Sequence, residues 1–180
     1  MQSETSLSKD ALSQISLINN IIEHQLKRAQ SAGESSWHLG IAVNPILDKL
    51  IASLKKVYQD KPLHFTVKAE QVALFKGDEA DLMEMLGNVL DNACKAAKSE
   101  VMVAIKSNNE QLIITVEDDG VGIAPSQKQA ILARGTRADT YHAGHGIGLA
   151  IVRDLVNSYQ GQLSISTSTS LGGAAFILTF

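Results

Sequence analysis

Three glycines stand at every second position in the stretch AGHGIGLAIVRDL, residues 143–155. They are Gly144, Gly146 and Gly148, and the residues after them have the apolar spacing of an amphipathic helix. Glycine lets a backbone wrap closely around an anion, and the amino end of a helix offers unpaired N–H groups and partial positive charge. The pattern therefore predicts an anion-binding loop at the start of a helix.

Two common glycine motifs do not fit this stretch. A dinucleotide fingerprint requires Gly-x-Gly-x-x-Gly, and here the third glycine comes one position too early. A P-loop requires Gly-Lys followed by Ser or Thr, whereas Leu149 and Ala150 follow Gly148. A loop that only leads into a helix, without a ligand, is the alternative interpretation.

A row of polar side chains is expected along a helix predicted from Asp78 to Ala97. Glu84, Asn88, Asn92 and Lys95 are spaced at about one turn and share the face opposite the apolar side. Asparagine is a poor helix former, and its carboxamide oxygen is a suitable ligand for Mg²⁺. The alternative is a solvated face on which the asparagines have no role.

Acidic residues and glycines come together where a strand rich in β-branched residues ends, in VEDDGVGIAP. Asp118 stands at the strand end, and Gly120 and Gly122 follow it. A carboxylate in this position can accept a hydrogen bond from an exocyclic amine, while the glycines let a ligand lie against the backbone. The alternative is a tight turn that uses Asp and Gly for their backbone conformations.

Hydrophobic spacing predicts the elements that position these residues. The expected helices run from Leu12 to Ala29, Val43 to Tyr58, Asp78 to Ala97, Ser126 to Ala133 and Gly148 to Tyr159. The expected strands are LHFTV, VALFK, VMVAIK, QLIITVE, QLSIST and AAFILTF. In the second helix, the side chains expected to be buried are Leu47, Leu50, Ile51 and Leu54. Intermixed helices and strands with antiparallel hairpins predict an α/β fold, a two-layer sandwich with a mixed sheet.

Composition excludes several classes of protein. The 180 residues carry a formal net charge of −3, which argues against nucleic acid as the main partner because phosphate backbones select basic surfaces. The single cysteine, Cys94, excludes an internal disulfide and a multi-cysteine zinc site. No apolar run approaches the ~18–20 residues of a membrane span, and the first ten residues are polar rather than a signal peptide.

The three motifs, in this order, resemble the N, G1 and G2 boxes of one ATP-binding fold. This two-layer sandwich, the Bergerat fold, is shared by gyrase B, MutL, the heat-shock chaperone ATPases and the sensor histidine kinases of two-component systems. The sequence is most similar to the histidine-kinase branch, and the similarity covers roughly residues 13–180. The segments that carry it are LGNVLDNACKAA, TVEDDGVGI, ARGTRADT and GHGIGLA.

The resemblance implies a role for each motif residue in binding Mg²⁺ and ATP. Asn92 would coordinate Mg²⁺ that bridges the phosphates, with Asn88 assisting one turn earlier. Lys95 would meet a phosphate oxygen. Asp118 would accept from the 6-amino group of adenine. Gly120 and Gly122 would let the base approach.

The resemblance also assigns the glycine stretch and two arginines to the triphosphate. Arg134 and Arg137 occupy positions of phosphate-facing arginines. The lid and the helix start, where the backbone meets the phosphates, would comprise Gly144, His145, Gly146, Ile147, Gly148 and Leu149. His145 replaces a glutamine of the lid, so nucleotide affinity is expected to depend on pH near ~6.5. A weaker hypothesis is a metal site formed by Asp139, His142 and His145.

One substitution separates the kinases from the ATPases of this superfamily. The ATPases carry a glutamate that activates water one turn before the metal-binding asparagine. Here that position is Asn88, a neutral amide that cannot act as a general base. Glu84 lies a further turn back and is expected to be too far away to replace it. Hydrolysis should therefore be slow, which leaves the γ-phosphoryl group for another acceptor.

The acceptor that the resemblance implies is a histidine in a His-acid-x-x-x-Pro pattern, which none of the five histidines shows. The helix expected from Leu12 to Ala29 instead resembles the second helix of a dimerisation hairpin. We therefore expect a fragment: residues 1–32 from the dimerisation domain, a linker over 33–42 and an ATP-binding domain over 43–180. The whole protein would be a homodimeric protein-histidine kinase at a bacterial inner membrane. This part would be cytoplasmic and would have a response regulator as partner.

Two other functions remain open at this point. One is an ATP-driven conformational clamp of the gyrase or chaperone type, which would hydrolyse ATP without transferring phosphate to protein. The other is a serine kinase of the anti-sigma-factor type, which shares the fold. Asn88 in the glutamate position and the apolar stripe before residue 30 count against the clamp.

Overall fold

The structure, a computed structural model, describes residues 40–69, 73–108, 111–124 and 147–180. Three helices lie in these ranges: α1 (Val43–Val57), α2 (Glu79–Ala96) and α3 (Ile147–Ser158). They confirm three of the predicted helices to within two residues at each end. The helices expected from Leu12 to Ala29 and from Ser126 to Ala133 lie outside the described residues.

In the part of the chain that the structure describes, seven strands form two sheets. The strands are β1 (Ile41–Ala42), β2 (His64–Ala69), β3 (Leu74–Phe75), β4 (Glu100–Ser107), β5 (Leu112–Asp118), β6 (Gln162–Thr167) and β7 (Ala174–Thr179). Five of them form one sheet in the order β2–β4–β5–β7–β6, in which only β2 and β4 are parallel. The predicted mixed sheet is thereby confirmed. Strands β1 and β3 pair antiparallel with each other.

Helix α2 begins where the sequence predicts it to begin, because Asp78 caps it. The Asp78 side chain accepts hydrogen bonds from the backbone N–H groups of Ala80 and Asp81. Acidic side chains in the first turn and Lys95 in the last turn both complement the helix dipole. The apolar side that the periodicity predicts is buried and comprises Leu82, Met85, Leu86, Val89, Leu90, Ala93 and Ala97, with Cys94 buried beside them.

A short strand precedes α1. Ile41 and Ala42, the last two residues of the predicted linker, pair with Phe75 and Leu74 as strand β1. The Val43 N–H then donates to the Ala73 carbonyl at 3.0 Å, which ties the start of α1 to the segment before β3. The described residues accordingly belong to one compact unit.

Helix α1 packs its apolar side against α2. Its buried residues are Val43, Ile46, Leu47 and Ile51. Leu50 and Leu54, which were expected to be buried, are only partly covered. The apolar stripe of α1 is therefore shifted towards its amino end, where the helix meets β1 and β3.

Helix α3 ends in a turn formed by Gln160 and Gly161. The residue with left-handed backbone is Gln160, at φ 57°, and the Gly161 N–H donates to the Val156 carbonyl at 2.9 Å. Gly161 is required for space instead, since a Cβ there would collide with the Thr179 carbonyl oxygen.

The core lies between the helices and one face of the five-stranded sheet. The central strands contribute alternate residues to it, namely Val101, Val103, Ile105, Leu112, Ile114, Val116, Phe176 and Leu178. Cys94 is buried among them, and burial raises the pKa of its thiol to about 11. Within the described ranges, no helix combines the length and hydropathy that crossing a membrane requires.

Candidate functional site

A cavity opens where α2, the end of β5, the start of α3 and β7 meet. Its volume is about 150 Å³, the size of an engineered cavity that holds one benzene molecule. The residues that line it are Asn92, Ala96, Asp118, Gly122, Ile123, Leu149, Ala174 and Phe176. A largely apolar cleft with a few polar groups is typical of a site for a flat organic ring.

Asp118 is fully buried in the wall of this cavity. Its Oδ1 accepts hydrogen bonds from the backbone N–H groups of Gly120 at 2.8 Å and Ala174 at 3.2 Å. Its Oδ2 is also buried and has no hydrogen-bond partner among the described residues. Burial raises the pKa of this carboxyl group, and the two backbone hydrogen bonds oppose the rise. An unsatisfied buried acceptor is costly, so Asp118 is suited to a ligand that brings an N–H donor.

The adjacent carboxylate, Asp119, has the opposite environment. It accepts hydrogen bonds from the backbone N–H groups of Lys98 and Ser99 and from the Ser99 hydroxyl, at 2.7 to 3.0 Å. Burial alone would raise its pKa, but the hydrogen bonds from Ser99 and its neighbours outweigh burial and lower it. Asp119 thus fixes the segment between α2 and β4 to the end of β5.

Glycines surround Asp118 because other side chains would not fit. A Cβ at Gly120 would lie 2.5 Å from the Ala96 carbonyl oxygen, at the last turn of α2. A Cβ at Gly173 would collide with both the backbone and the carboxylate of Asp118. Gly122 has a left-handed φ of 73° and lies against Gly173. The predicted glycine turn therefore forms a close contact with the turn that precedes β7.

The two asparagines of α2 are half-buried rather than solvated. Asn92 lines the cavity. The Asn88 Nδ2 donates to the Glu84 carbonyl at 2.9 Å, and its Oδ1 would lie 2.5 Å from a Cβ placed on Gly148. The two amides therefore lie between the cavity and the first turn of α3, which does not support the interpretation of this row as a solvated face.

Lys95 does not line the cavity. It is exposed, and its Nζ forms an ion pair with Asp91 Oδ2 at 2.5 Å. Asp91 also accepts a hydrogen bond from the Tyr58 hydroxyl at 2.7 Å. Tyr58 lies just after α1, so this network connects the end of α1 to the last turns of α2.

Apart from Lys95, the predicted site residues fall into three groups. The cavity brings together Asn92, Asp118, Gly122 and Leu149, with Gly120 beside Asp118. Ile147 and Gly148 begin α3, where Gly148 contacts Asn88. The predicted residues that lie outside the described ranges are Arg134, Arg137, Asp139, His142, Gly144, His145 and Gly146.

Sequence reasoning missed one wall of the cavity. Gly173, Ala174 and Phe176 were interpreted only as parts of a hairpin, yet Ala174 and Phe176 line the cavity and Gly173 packs on Asp118. Ile123 was also missed. The two consecutive glycines at 172 and 173, directly before an apolar strand, were the signal that could have identified this wall.

Comparison with known proteins agrees with this geometry. The sequence model of the family described as histidine kinase-, DNA gyrase B- and HSP90-like ATPase matches residues 77–180. The chain belongs to this family. The matched range contains α2, Asp118 and the start of α3, so the family's common region includes every residue that lines the cavity.

Two relatives place the chain more closely within this family, and one solved structure shares its fold. It is 40% identical over 172 residues to the virulence sensor histidine kinase PhoQ of Salmonella typhimurium strain LT2, and 38% identical over 170 residues to the sensor protein PhoQ of Escherichia coli strain K12. Each alignment covers 94% of this chain and 35% of the relative, so the chain spans about a third of their length. A mycobacterial sensor histidine kinase, MprB, has the same fold: the TM-score is 0.66 at 24% identity, over 78% of this chain and 94% of that one.

Proposed function

We propose that this site binds ATP with the adenine ring in the cavity and its 6-amino group donating to Asp118 Oδ2. The observation that carries the proposal is the buried Oδ2, which lacks a partner in the part of the chain that the structure describes. Apart from Asn92, the remaining walls are apolar, which suits a planar base, and Gly122 presents no side chain to it. The family's description as ATPases supports a nucleotide as the ligand.

The half-buried amides are suited to the metal that accompanies ATP. Mg²⁺ prefers oxygen ligands and supplies positive charge that neutralises phosphate oxygens. No cluster of three His, Cys, Asp or Glu side chains that could hold a metal occurs in the described ranges. By resemblance to the family, Asn92 and Asn88 would hold Mg²⁺ through their carboxamide oxygens, together with the phosphates of the nucleotide.

The phosphates would then extend towards the start of α3. Backbone N–H groups of Ile147, Gly148 and Leu149 stand in its first turn, where a helix attracts anions. Lys95 would contribute its ammonium group by exchanging Asp91 for a phosphate oxygen. The further phosphate ligands that we propose, by resemblance to the family, are Arg134, Arg137, Gly144, His145 and Gly146.

We propose that the γ-phosphoryl group is transferred to a histidine of a dimerisation domain and then to an aspartate of a PhoP-like response regulator. Asn88 is a neutral amide and cannot remove a proton from water, so hydrolysis is slow and a protein acceptor is favoured. In this proposal residues 1–32 belong to the dimerisation domain, 33–42 to a linker and 43–180 to the ATP-binding domain. The whole protein is a homodimer, and this domain lies on the cytoplasmic side of a bacterial inner membrane.

The test is transfer of radiolabel from γ-labelled ATP to a separately supplied dimerisation domain. We expect label on its histidine, and at least about tenfold less with Asn92→Ala because a metal ligand is lost. Ser53→Ala, an exposed change on α1, is the control and should leave transfer unchanged. Transfer that is absent, or that is insensitive to Asn92→Ala, would contradict the mechanism. Rapid ATP turnover without transfer would instead favour the conformational clamp.

A further inference from the structure

The turn between β6 and β7, residues 168–173, is organised by one buried serine. Ser168 is 3% exposed, and each of its polar groups is engaged. Its N–H donates to the Gly173 carbonyl at 2.9 Å and its carbonyl accepts from the Gly172 N–H at 3.1 Å. Its hydroxyl oxygen accepts from the Leu171 N–H at 2.8 Å. These bonds fix the position from which the chain enters β7.

The same hydroxyl group attaches the turn to strand β5. Ser168 Oγ donates to Glu117 Oε1 at 2.8 Å, and Glu117 is itself only 8% exposed. A hydrogen bond to a buried carboxylate is stronger than one between neutral groups. Glu117 precedes Asp118 in β5, so the two side chains point to opposite faces of the sheet. The turn is therefore held from the face opposite the cavity.

On the cavity side, this turn supplies donors to Asp118. The Gly173 N–H donates to the Asp118 carbonyl at 3.1 Å, and the Ala174 N–H donates to Asp118 Oδ1 at 3.2 Å. Together with the Gly120 N–H, Ala174 occupies Oδ1 and so fixes the rotation of the carboxylate. It is this rotation that leaves Oδ2 as the oxygen available to a ligand.

We propose that Glu117 and Ser168 are positioning residues that set the selectivity of the site for adenine. Through the turn they hold the Gly173 and Ala174 donors, and these donors hold the Asp118 carboxylate in the orientation that accepts from a 6-amino group. Neither residue touches the ligand. This inference rests on the proposed function, since it concerns how the same site recognises the base.

Loss of the Ser168–Glu117 hydrogen bond has a specific expected consequence. Without it the turn is attached to β5 only through the backbone pairing of β7, which begins at Ala175 opposite Glu117, and through the Gly173 and Ala174 donors. The distance from the Ala174 N–H to Oδ1 is then less tightly fixed. The Asp118 carboxylate is then held by fewer donors and can rotate, so Oδ2 no longer keeps the orientation that accepts a hydrogen bond from the base. A nucleotide that lacks the 6-amino group does not form the hydrogen bond to Asp118 Oδ2, so its affinity should hardly change.

The experiment measures the dissociation constants of ATP and of purine riboside triphosphate, which lacks the 6-amino group, by calorimetry with Mg²⁺ on the full chain. Wild type should bind ATP about 10 to 100 times more tightly than the analogue, the contribution of one hydrogen bond to a charged group. In Ser168→Ala this ratio should fall to about threefold or less, through weaker ATP binding alone. Glu117→Gln keeps an acceptor oxygen and should retain the wild-type ratio, as should Ser53→Ala, which removes an exposed hydroxyl on α1.

A second measurement needs no nucleotide. Amide hydrogen exchange at Gly173 and Ala174 should be faster in Ser168→Ala and unchanged in Glu117→Gln. If Ser168→Ala unfolds at the assay temperature, the double variant Ser168→Ala/Glu117→Gln, which leaves no unpaired charge, takes its place. A ratio that stays at its wild-type value, or equal weakening of both nucleotides, would overturn the inference.

The two proposals fail in different ways. If wild type binds neither nucleotide, the proposed function is wrong, and hydrogen exchange alone then tests whether Ser168 positions the turn. If wild type discriminates between the nucleotides and Ser168→Ala discriminates equally, the proposed function stands and this inference is wrong.

Discussion

Two buried carboxylates lie at opposite ends of helix α2, and they differ in how far the protein satisfies them. Asp81, in the first turn, is 4% exposed and accepts from the Tyr159 hydroxyl at 2.6 Å. Asp118, beside the last turn, is fully buried, and its Oδ2 lacks a partner among the described residues. A buried carboxylate oxygen with a hydrogen-bond partner stabilises the fold. A buried carboxylate oxygen without a partner costs stability unless a ligand supplies a donor. The comparison separates the end of α2 that contributes to stability from the end at which we propose that the nucleotide binds.

The largest effect is expected from Asp118→Asn. The amide keeps an oxygen for the Gly120 and Ala174 N–H groups, but it replaces Oδ2 with a donor that faces the 6-amino group of adenine. ATP affinity should therefore fall about 10- to 100-fold. The free energy of unfolding should change by less than about 1 kcal/mol, because no charge is left unpaired. Calorimetry and urea unfolding measure the two quantities.

The matched control for this change is Asp48→Asn, which removes a carboxylate from the exposed side of α1. It should alter neither affinity nor stability. Wild-type affinity in Asp118→Asn would show that the unsatisfied oxygen is not the base-recognition group, and the contrast between the two ends of α2 would lose its functional meaning.

At the other end of α2, Tyr159→Phe should affect stability alone. The Tyr159 hydroxyl donates to Asp81 and accepts from the Asp78 N–H at 3.1 Å, while its ring packs edge-on against Phe75 at 4.9 Å between centroids. The substitution keeps the ring and removes both hydrogen bonds. Unfolding free energy should fall by about 1–2 kcal/mol, with ATP affinity within twofold of wild type.

Thermal or urea unfolding checks this, and Tyr58→Phe serves as the comparison. The Tyr58 hydroxyl also donates to a carboxylate, that of Asp91, but this carboxylate is partly exposed. Loss of the Tyr58 hydroxyl should therefore lower the free energy of unfolding by less. If Tyr159→Phe instead weakens ATP binding as strongly as Asp118→Asn does, the two ends of α2 do not differ in their effect on nucleotide binding.

Local patterns in the sequence were sufficient to predict the elements on which this comparison rests. The apolar period of α2, its Asp78 cap and the β-branched run before Asp118 each act over a few residues, and each was confirmed. The position of Asp118 at a strand end followed from the same local rules. The mixed sheet was also predictable, since intermixed helices and strands allow few other arrangements.

The contacts that complete the site could not be predicted in this way. The Ala174 N–H reaches Asp118 across 56 residues, and no periodicity reports which hairpin turn lies beside which strand end. The turn was predicted only as the connection between two strands, so the close approach of Gly173 to Asp118 was not predicted. The four-residue spacing of Asp91 and Lys95 was visible in the sequence, but it could not show whether Lys95 pairs with Asp91 or contacts a phosphate.

A smaller effect concerns pH and distinguishes Asp118 from its neighbour Asp119. Burial raises the pKa of Asp118 above 3.8, so the folded state binds this proton more tightly than the unfolded state does. Its contribution to stability therefore increases as pH falls from the raised value towards 3.8. The pKa of Asp119 is lowered, so Asp119 contributes stability above 3.8 that is lost as pH falls through its folded pKa.

Urea unfolding between about pH 3 and pH 7, without Mg²⁺ or nucleotide, tests this sign. The stability of wild type relative to Asp118→Asn should rise as the solution becomes more acidic. Relative to Asp119→Asn, wild-type stability should fall over the acid range. The same sign for both variants would show that the two adjacent carboxylates do not differ as their hydrogen bonds indicate.

The smallest effect is expected at the exposed ion pair. Asp91→Asn keeps an oxygen for the Tyr58 hydroxyl and removes only the charge that holds Lys95. An exposed ion pair four residues apart in a helix contributes about 0.3–0.5 kcal/mol to stability, so the free energy of unfolding should change by no more than that. If Lys95 exchanges Asp91 for a phosphate, its release should raise ATP affinity up to about threefold. Lys95→Met should abolish that gain, and a gain that persists in the double variant would exclude Lys95 as a phosphate ligand.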